Sequence, residues 1–154
     1  MAGTDTPATR AARAAGIAFR LLEYEHDPRA ASYGEEAASA LGIDPARVLK
    51  TLLVDRDGRP AVCVVPVATS LDLRALGKRT SLLDPAAAER LTGYVTGGIS
   101  PLGQRRRLPT IVDASATAHE EVCVSAGRRG LEIALAPADL VALTDATVAS
   151  IARG

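Results

Sequence analysis

The stretch VLKTLLVDRDGRPAVCVVPV, residues 48–67, decides the fold of this chain. Two runs of aliphatic and β-branched residues, Val48–Asp55 and Pro60–Val67, flank the polar segment Arg56–Arg59. Asp-Gly between two such runs is the strongest short-range signal of a β-hairpin, because both residues tolerate the positive φ angles of a tight turn. We therefore predict an antiparallel hairpin here.

The segments on either side of the hairpin read as short helices and short strands. Helices are predicted where a polar cap or a proline precedes a small apolar run: after Thr6, Ser32 and Asp84, and from Pro137. Further strands are predicted at Ala18–Tyr24, Pro109–Asp113, Glu121–Ser125 and Leu131–Leu135. This mixed order is typical of a single α+β domain, residues 1–154, with a mixed and mostly antiparallel sheet.

Composition excludes several classes of function. The chain has 154 residues, with 18 basic and 18 acidic side chains, so no global field attracts nucleic acid or a membrane. The two cysteines, Cys63 and Cys123, lack metal-ligand spacing and are interpreted as reduced thiols of a cytoplasmic protein. Neither His26 nor His119 belongs to a visible catalytic triad, and no metal or cofactor is expected.

Lys50 is the first candidate for chemistry. The two-residue period of a strand places it on the same face as Val48, Leu52 and Val54. A cation among aliphatic side chains is costly unless a negative group meets it, which favours a ligand phosphate or carboxylate. The alternative, which the strand alone leaves open, is an edge lysine that discourages aggregation.

A glycine-rich loop at residues 92–103 is the second candidate. Gly97 and Gly98 would let backbone N–H groups approach a ligand closely as an anion or oxyanion cradle, and Pro101 would stiffen the loop. An ordinary surface loop is the alternative. The basic run Arg105–Arg107 follows directly, and it is either a solvated face or a contact for a phosphate backbone.

Several segments resemble the YbaK family of trans-editing aminoacyl-tRNA deacylases, and within it the Cys-tRNA(Pro) deacylase branch. The resemblance extends over nearly the whole chain. The Gly97–Pro101 loop combined with Lys50-Thr51 is its specific part. The matching segments as a whole are residues 24–28, 50–54, 71–73, 92–104, 108–111 with Asp113, and 129–131.

The resemblance implies a barrel-like mixed sheet with surrounding helices and one cleft, the fold of editing domains associated with prolyl-tRNA synthetase. It implies catalytic roles for Lys50, which would hold the tRNA 3′ end, and for Gly97 and Gly98, whose backbone would lie against the ester. It implies that the substrate pocket also includes Tyr24, Tyr33, Thr51, Ser100, Pro101, Ser125 and Glu132. Arg105, Arg106 and Arg107 would contact the tRNA backbone. Tyr33 and Glu132 depart from the family pattern, which has Phe and Asp there.

The implied activity is hydrolysis of mischarged Cys-tRNA(Pro), with the substrate's thiol attacking its own ester and backbone donors stabilising the oxyanion. Two alternatives stay open: a deacylase for alanine or serine that uses water, and a non-catalytic module that binds tRNA ends. The expected partners are aminoacyl-tRNA and prolyl-tRNA synthetase, without DNA or a membrane.

Overall fold

The computed structural model describes residues 3–154, so the first two residues of the predicted domain lie outside it. The four helices described are α1 (Pro7–Ala15), α2 (Tyr33–Leu41), α3 (Pro85–Thr92) and α4 (Pro137–Thr144). The strands described are β1 (Phe19–Glu23), β2 (Leu49–Arg56), β3 (Arg59–Pro66), β4 (Ser70–Leu71), β5 (Thr80–Leu82), β6 (Thr110–Asp113), β7 (Val122–Arg128), β8 (Leu131–Leu135), β9 (Thr147–Ala149) and β10 (Ala152–Arg153). No helix in residues 3–154 is long and apolar enough to cross a bilayer.

The predicted hairpin is confirmed as β2 and β3, which pair antiparallel from Leu49↔Pro66 to Arg56↔Arg59. Its turn residues Asp57 and Gly58 have φ angles of 52° and 88°, as a primed two-residue turn requires. The hairpin lies inside a five-stranded sheet of order β5-β2-β3-β6-β9, in which β6 pairs parallel with both neighbours.

A second sheet of order β1-β8-β7 is wholly antiparallel. An isolated parallel bridge between Val48 and Cys123 joins it to the start of β2. Strands β4 and β10 form a separate two-stranded ribbon. The α+β class is therefore confirmed, whereas the described residues form three sheets rather than a closed barrel.

The main core is aliphatic and lies between the two larger sheets, with α1 and α4 also contributing to it. Its β2–β3 contribution comes from one face of the hairpin, including Leu53 and Val64, while Val54 and Val65 of the opposite face join a second cluster. Tyr94 is the buried aromatic of the main core, and its hydroxyl donates to Leu102 O at 2.6 Å. This bond fixes the two ends of the glycine-rich loop to each other.

Candidate active site

A cleft of about 390 Å³ opens beside strand β2. Strand β5 pairs with β2 only through Val54, Asp55 and Arg56, so it leaves the edge of β2 at Thr51 unpaired. Residues of both larger sheets, of helices α2 and α3 and of the glycine-rich loop surround this edge. The residues that line the cleft are Tyr24, Ala31, Ser32, Tyr33, Gly34, Leu49, Lys50, Thr51, Leu52, Leu53, Leu82, Leu83, Pro85, Ala88, Thr96, Gly97, Ile99, Ser125 and Glu132.

The open edge directs backbone groups toward the cleft. Leu53 O accepts from Leu83 N at 2.9 Å, on the side of β2 that faces away from β3. Because alternate residues of an antiparallel strand direct their N–H and C=O groups to the same side, Leu49 and Thr51 direct theirs to this side as well. The Thr51 hydroxyl is also buried and has no hydrogen-bond partner among the described residues. Thr51 thus directs its backbone N–H and C=O toward the open edge and carries a buried hydroxyl without a partner in the described residues.

Lys50 lines the cleft as a half-buried side chain whose Nζ donates to Thr69 O at 2.6 Å. This bond positions the ammonium and uses one of its three donors. No carboxylate of residues 3–154 lies within 4 Å of it. The charge is therefore held in place without being neutralised, which is the arrangement that a phosphate or carboxylate ligand needs.

Only one of the two glycines predicted to face the ester lines the cleft. Gly97 does so with φ 87°, and a Cβ built there would lie 2.6 Å from Tyr33 Cε1. Gly98 N–H instead donates to Val95 O at 2.9 Å, so it is not available as an oxyanion donor. A Cβ on Gly98 would lie 2.8 Å from Arg128 Cα, so this glycine permits the loop to pack on the β7–β8 turn.

Ser100 and Pro101 do not line the cleft. Ser100 is fully buried, and its Oγ accepts from Leu102 N at 3.1 Å while its carbonyl accepts from Gln104 Nε2 at 2.9 Å. Pro101 lines a separate, smaller depression. Both residues shape the return of the loop, and their contact with substrate stays a prediction.

Glu132 is a buried carboxyl at the cleft, with 6% of its surface exposed. It lies on the central strand β8, opposite Leu22 of β1 and Ser125 of β7. Desolvation raises the pKa of Glu132 to about 8, so the group is neutral at neutral pH. Burial, reinforced by Glu132, also raises the pKa of Tyr24 to about 12. This wall of the cleft therefore carries protonated, hydrogen-bonding groups rather than charges.

Tyr33 is held in position by residues to which the sequence interpretation gave no role in the site. The Arg129 guanidinium lies 5.2 Å from the centre of the Tyr33 ring, and the His26 ring stacks on it at 5.6 Å. His26 Nδ1 in turn lies 2.8 Å from Glu36 Oε1. Residues 129–131 belong to the segments that match the family, but the sequence assigned Arg129 no contact, because its approach to Tyr33 depends on tertiary structure.

Glu89 fixes the other side of the glycine-rich loop. One carboxylate oxygen accepts from Thr96 N at 2.7 Å and from Thr96 Oγ1 at 2.9 Å, and these bonds lower the pKa of Glu89. Arg129 Nε donates to Thr96 O at 2.8 Å. Thr96, directly before Gly97, is therefore held on both sides. The only sequence signal for Glu89 was its place at the end of a helix that leads into the loop.

The basic triplet lies outside the cleft lining. Arg105 N and Arg106 N donate to Thr92 O and Leu91 O, which fastens this segment to the end of α3. All three side chains are exposed, and Arg107 lines the same small depression as Pro101. Their contact with RNA stays a prediction.

The chain's own thiols are sealed away from the cleft. Cys63 and Cys123 are fully buried, and desolvation raises the pKa of each to about 11. Neither cysteine and neither histidine is among the cleft-lining residues. Within the described residues, the cleft thus combines a cation, hydroxyls, a neutral carboxyl and backbone groups.

Comparison with solved structures defines the class of protein. The chain superposes with a TM-score of 0.86 on a structure described as "Crystal structure of a putative trans-editing enzyme for prolyl tRNA synthetase", at 25% identity over 100% of this chain and 99% of that one. A second structure, described as "hypothetical protein APE2540", gives a TM-score of 0.84 at 27% identity over 96% and 100%. The fold is that of a trans-editing domain.

Sequence comparison identifies the family. The model of the aminoacyl-tRNA editing domain matches residues 27–143. A relative from Enterococcus faecalis (strain ATCC 700802 / V583), named "Putative Cys-tRNA(Pro)/Cys-tRNA(Cys) deacylase EbsC", is 37% identical over 76% of this chain and 75% of its own length. The chain belongs to the aminoacyl-tRNA editing domain family, a family of hydrolases, and the predicted family and enzyme class are confirmed.

Proposed function

We propose that this protein removes cysteine from mischarged Cys-tRNA(Pro). The observation that carries the proposal is the composition of the cleft: it holds the Lys50 ammonium for a nucleotide terminus but neither thiol nor imidazole for attack on an ester. A substrate that brings its own nucleophile fits such a site. The E. faecalis relative named for Cys-tRNA deacylation supports the choice of cysteine.

The cysteinyl thiol attacks the carbonyl carbon of its own ester. A C–S bond forms, the ester C–O bond breaks, and the thiol proton passes to the departing ribose oxygen. The thiolactone that results is then opened by water to give free cysteine. Because a well-oriented intramolecular group can act at an effective molarity of about 10⁵ M or more, positioning alone supplies a large rate enhancement.

The cleft residues contribute positioning and charge stabilisation. Lys50 anchors the terminal nucleotide through the donors that Thr69 leaves free. The Gly97 backbone and the open edge at Thr51 face the acyl group and provide donors for the developing oxyanion. Glu132, neutral at neutral pH, lines the acyl end without repelling a thiol that ionises as it attacks.

Prolyl-tRNA synthetase is the proposed partner. The structural neighbour described as a trans-editing enzyme for that synthetase supports this pairing. The formal net charge of zero also favours a partner that helps to hold the tRNA body.

Deacylation of three esters tests the proposal: Cys-tRNA(Pro), Ala-tRNA(Pro) and Pro-tRNA(Pro). We expect loss of the cysteinyl ester alone. Loss of the alanyl ester would replace the thiol mechanism with attack by water, and stable esters despite tRNA binding would make the protein a binding module.

A Cys63→Ala, Cys123→Ala double variant tests the source of the sulfur. Activity on Cys-tRNA(Pro) should survive, because both protein thiols are fully buried outside the cleft. Its loss in a variant with an unchanged circular dichroism spectrum and unfolding midpoint would contradict attack by the substrate thiol.

A further inference from the structure

A second depression, here called the basic groove, lies at the turn end of the β2–β3 hairpin and has a volume of about 650 Å³. Four cationic residues line it: Arg56, Arg59, Lys78 and Arg79. Asp57 is the single acidic residue of its lining within the described part of the chain. The groove therefore carries a formal excess of three positive charges in a protein whose net charge is zero.

Folding accounts for only part of this concentration of charge: Arg56 Nε donates to Leu76 O at 3.1 Å. Arg56 and Arg59 lie directly opposite each other in the hairpin register, and like charges in that position destabilise a sheet. Of the four cations, only Arg79 has a carboxylate within 4 Å in residues 3–154, with Nη1 3.5 Å from Asp57 Oδ1. An anionic ligand would offset the repulsion and use the remaining donors.

The basic groove and the cleft share two strands. On β5, Thr80 lines the groove and Leu82, two residues further on, lines the cleft. Along β2, Lys50 and Arg56 are six residues apart, which corresponds to about 20 Å. A single extended polyanion can therefore reach both sites.

We propose that the basic groove binds the phosphate backbone of the same tRNA whose aminoacyl end lies at Lys50. This inference rests on the proposed function and extends it from the ester to the tRNA segment that carries it. Groups that contact phosphates position a nucleic acid without reading its sequence, so the groove fits the acceptor end of tRNA irrespective of its bases.

The test compares an Arg59→Gln, Lys78→Gln double variant with Arg13→Glu. Both changes lower the net charge by two, and Arg13 is an exposed residue of α1, outside both depressions. The probes are uncharged tRNA(Pro), for affinity against salt concentration, and two substrates: full-length Cys-tRNA(Pro) and the short ester 3′-O-cysteinyl-adenosine 5′-phosphate, which keeps the terminal phosphate for Lys50.

We expect the double variant to bind tRNA(Pro) about tenfold more weakly than wild type. The slope of log affinity against log salt should fall by roughly 1.4–1.8, at about 0.7–0.9 per phosphate contact. Its kcat/KM should fall with full-length substrate and stay within about twofold with the short ester. Arg13→Glu should change none of these by more than about twofold.

Three results would overturn the inference: unchanged tRNA affinity, an equal loss in Arg13→Glu, or retained tRNA affinity with lost binding to prolyl-tRNA synthetase. The last would make the groove a protein-docking surface. Failure of the proposed function is a separate result, namely no ester hydrolysis by wild type, and the affinity measurements still decide the role of the groove in that case.

Discussion

The two ends of strand β2 place cations in opposite surroundings. At the Lys50 end, one ammonium is half-buried, held by Thr69 O, and surrounded by the cleft walls. At the Arg56 end, four cations lie in an open depression, two of them side by side across the hairpin. A fixed, partly desolvated charge suits the recognition of one group in one place, whereas a cluster of exposed charges suits a backbone that passes by.

The chain has only two lysines, and each marks one end of this comparison, so Lys50→Ala and Lys78→Ala form a matched pair. With 3′-O-cysteinyl-adenosine 5′-phosphate as substrate, we expect Lys50→Ala to lower kcat/KM by about 100-fold or more, the effect of about 3 kcal/mol from a charged hydrogen bond. Lys78→Ala should match wild type. Equal rates for both variants would remove Lys50 from the site.

The exclusion of water from the cleft, at the Lys50 end of β2, can be measured through Glu132. The pKa of this carboxyl rises from 4.5 to about 8 on folding. Between these two pH values the folded state binds a proton that the unfolded state does not bind. The free energy of unfolding therefore falls as the pH rises. Wild type should lose about 3 kcal/mol of unfolding free energy between pH 5 and pH 8 through this group, and Glu132→Gln should not.

Urea unfolding at several pH values checks this expectation, with Asp57→Asn as the control because that carboxyl lies exposed at the groove end. The control should keep the wild-type dependence on pH. Parallel curves for wild type and Glu132→Gln would show that water reaches the carboxyl.

Close packing of the glycine-rich loop at the cleft end of β2 depends on Gly98. Ala at this position places a Cβ against the Arg128 backbone, and we expect a loss of about 1–3 kcal/mol in stability together with weaker deacylation. Gly58, at the groove end, has open space around its Cβ position but φ 88°, so Gly58→Ala should cost about 1 kcal/mol and leave the short-ester rate unchanged. Equal activities would mean that the loop tolerates displacement.

The smallest expected effect concerns Thr51, whose buried hydroxyl has no partner in the described residues. Thr51→Val should stabilise the free protein by about 1 kcal/mol, because it removes an unsatisfied polar atom. It should also raise KM for the short ester severalfold. Thr80→Val at the groove end is the control, and a KM equal to wild type in Thr51→Val would show that the hydroxyl does not meet the substrate.

Local patterns predicted most of the fold. The Asp57-Gly58 turn and the helix caps at Thr6 and Ser32 depend only on residues close in sequence, and the structure shows all three. Thr6 Oγ1 accepts from Thr9 N at 3.1 Å, and Ser32 Oγ accepts from Glu35 N at 3.3 Å. The three-residue strand β5 escaped prediction, because its formation depends on pairing with β2 rather than on its own sequence.

The residues of the candidate site also divide into those that the sequence predicted and those whose position depends on tertiary contacts. Lys50 and Glu132 were identified through strand patterning and the family resemblance, and the cleft contains both. The sequence could not predict that Gly97 lines the cleft whereas Gly98 does not, since the position of Gly98 depends on its close approach to the distant Arg128. The basic groove was missed for a related reason: its cations come from two segments that only the β2–β5 pairing brings together.

The sealing of Cys63 and Cys123 has a consequence for the proposed release of free cysteine. A pKa of about 11 leaves almost no thiolate at neutral pH, and full burial denies access to a low-molecular-weight disulfide. The protein therefore resists mixed-disulfide formation with the amino acid that it is proposed to release. Its catalytic lifetime should not depend on the oxidation state of the surrounding cysteine pool.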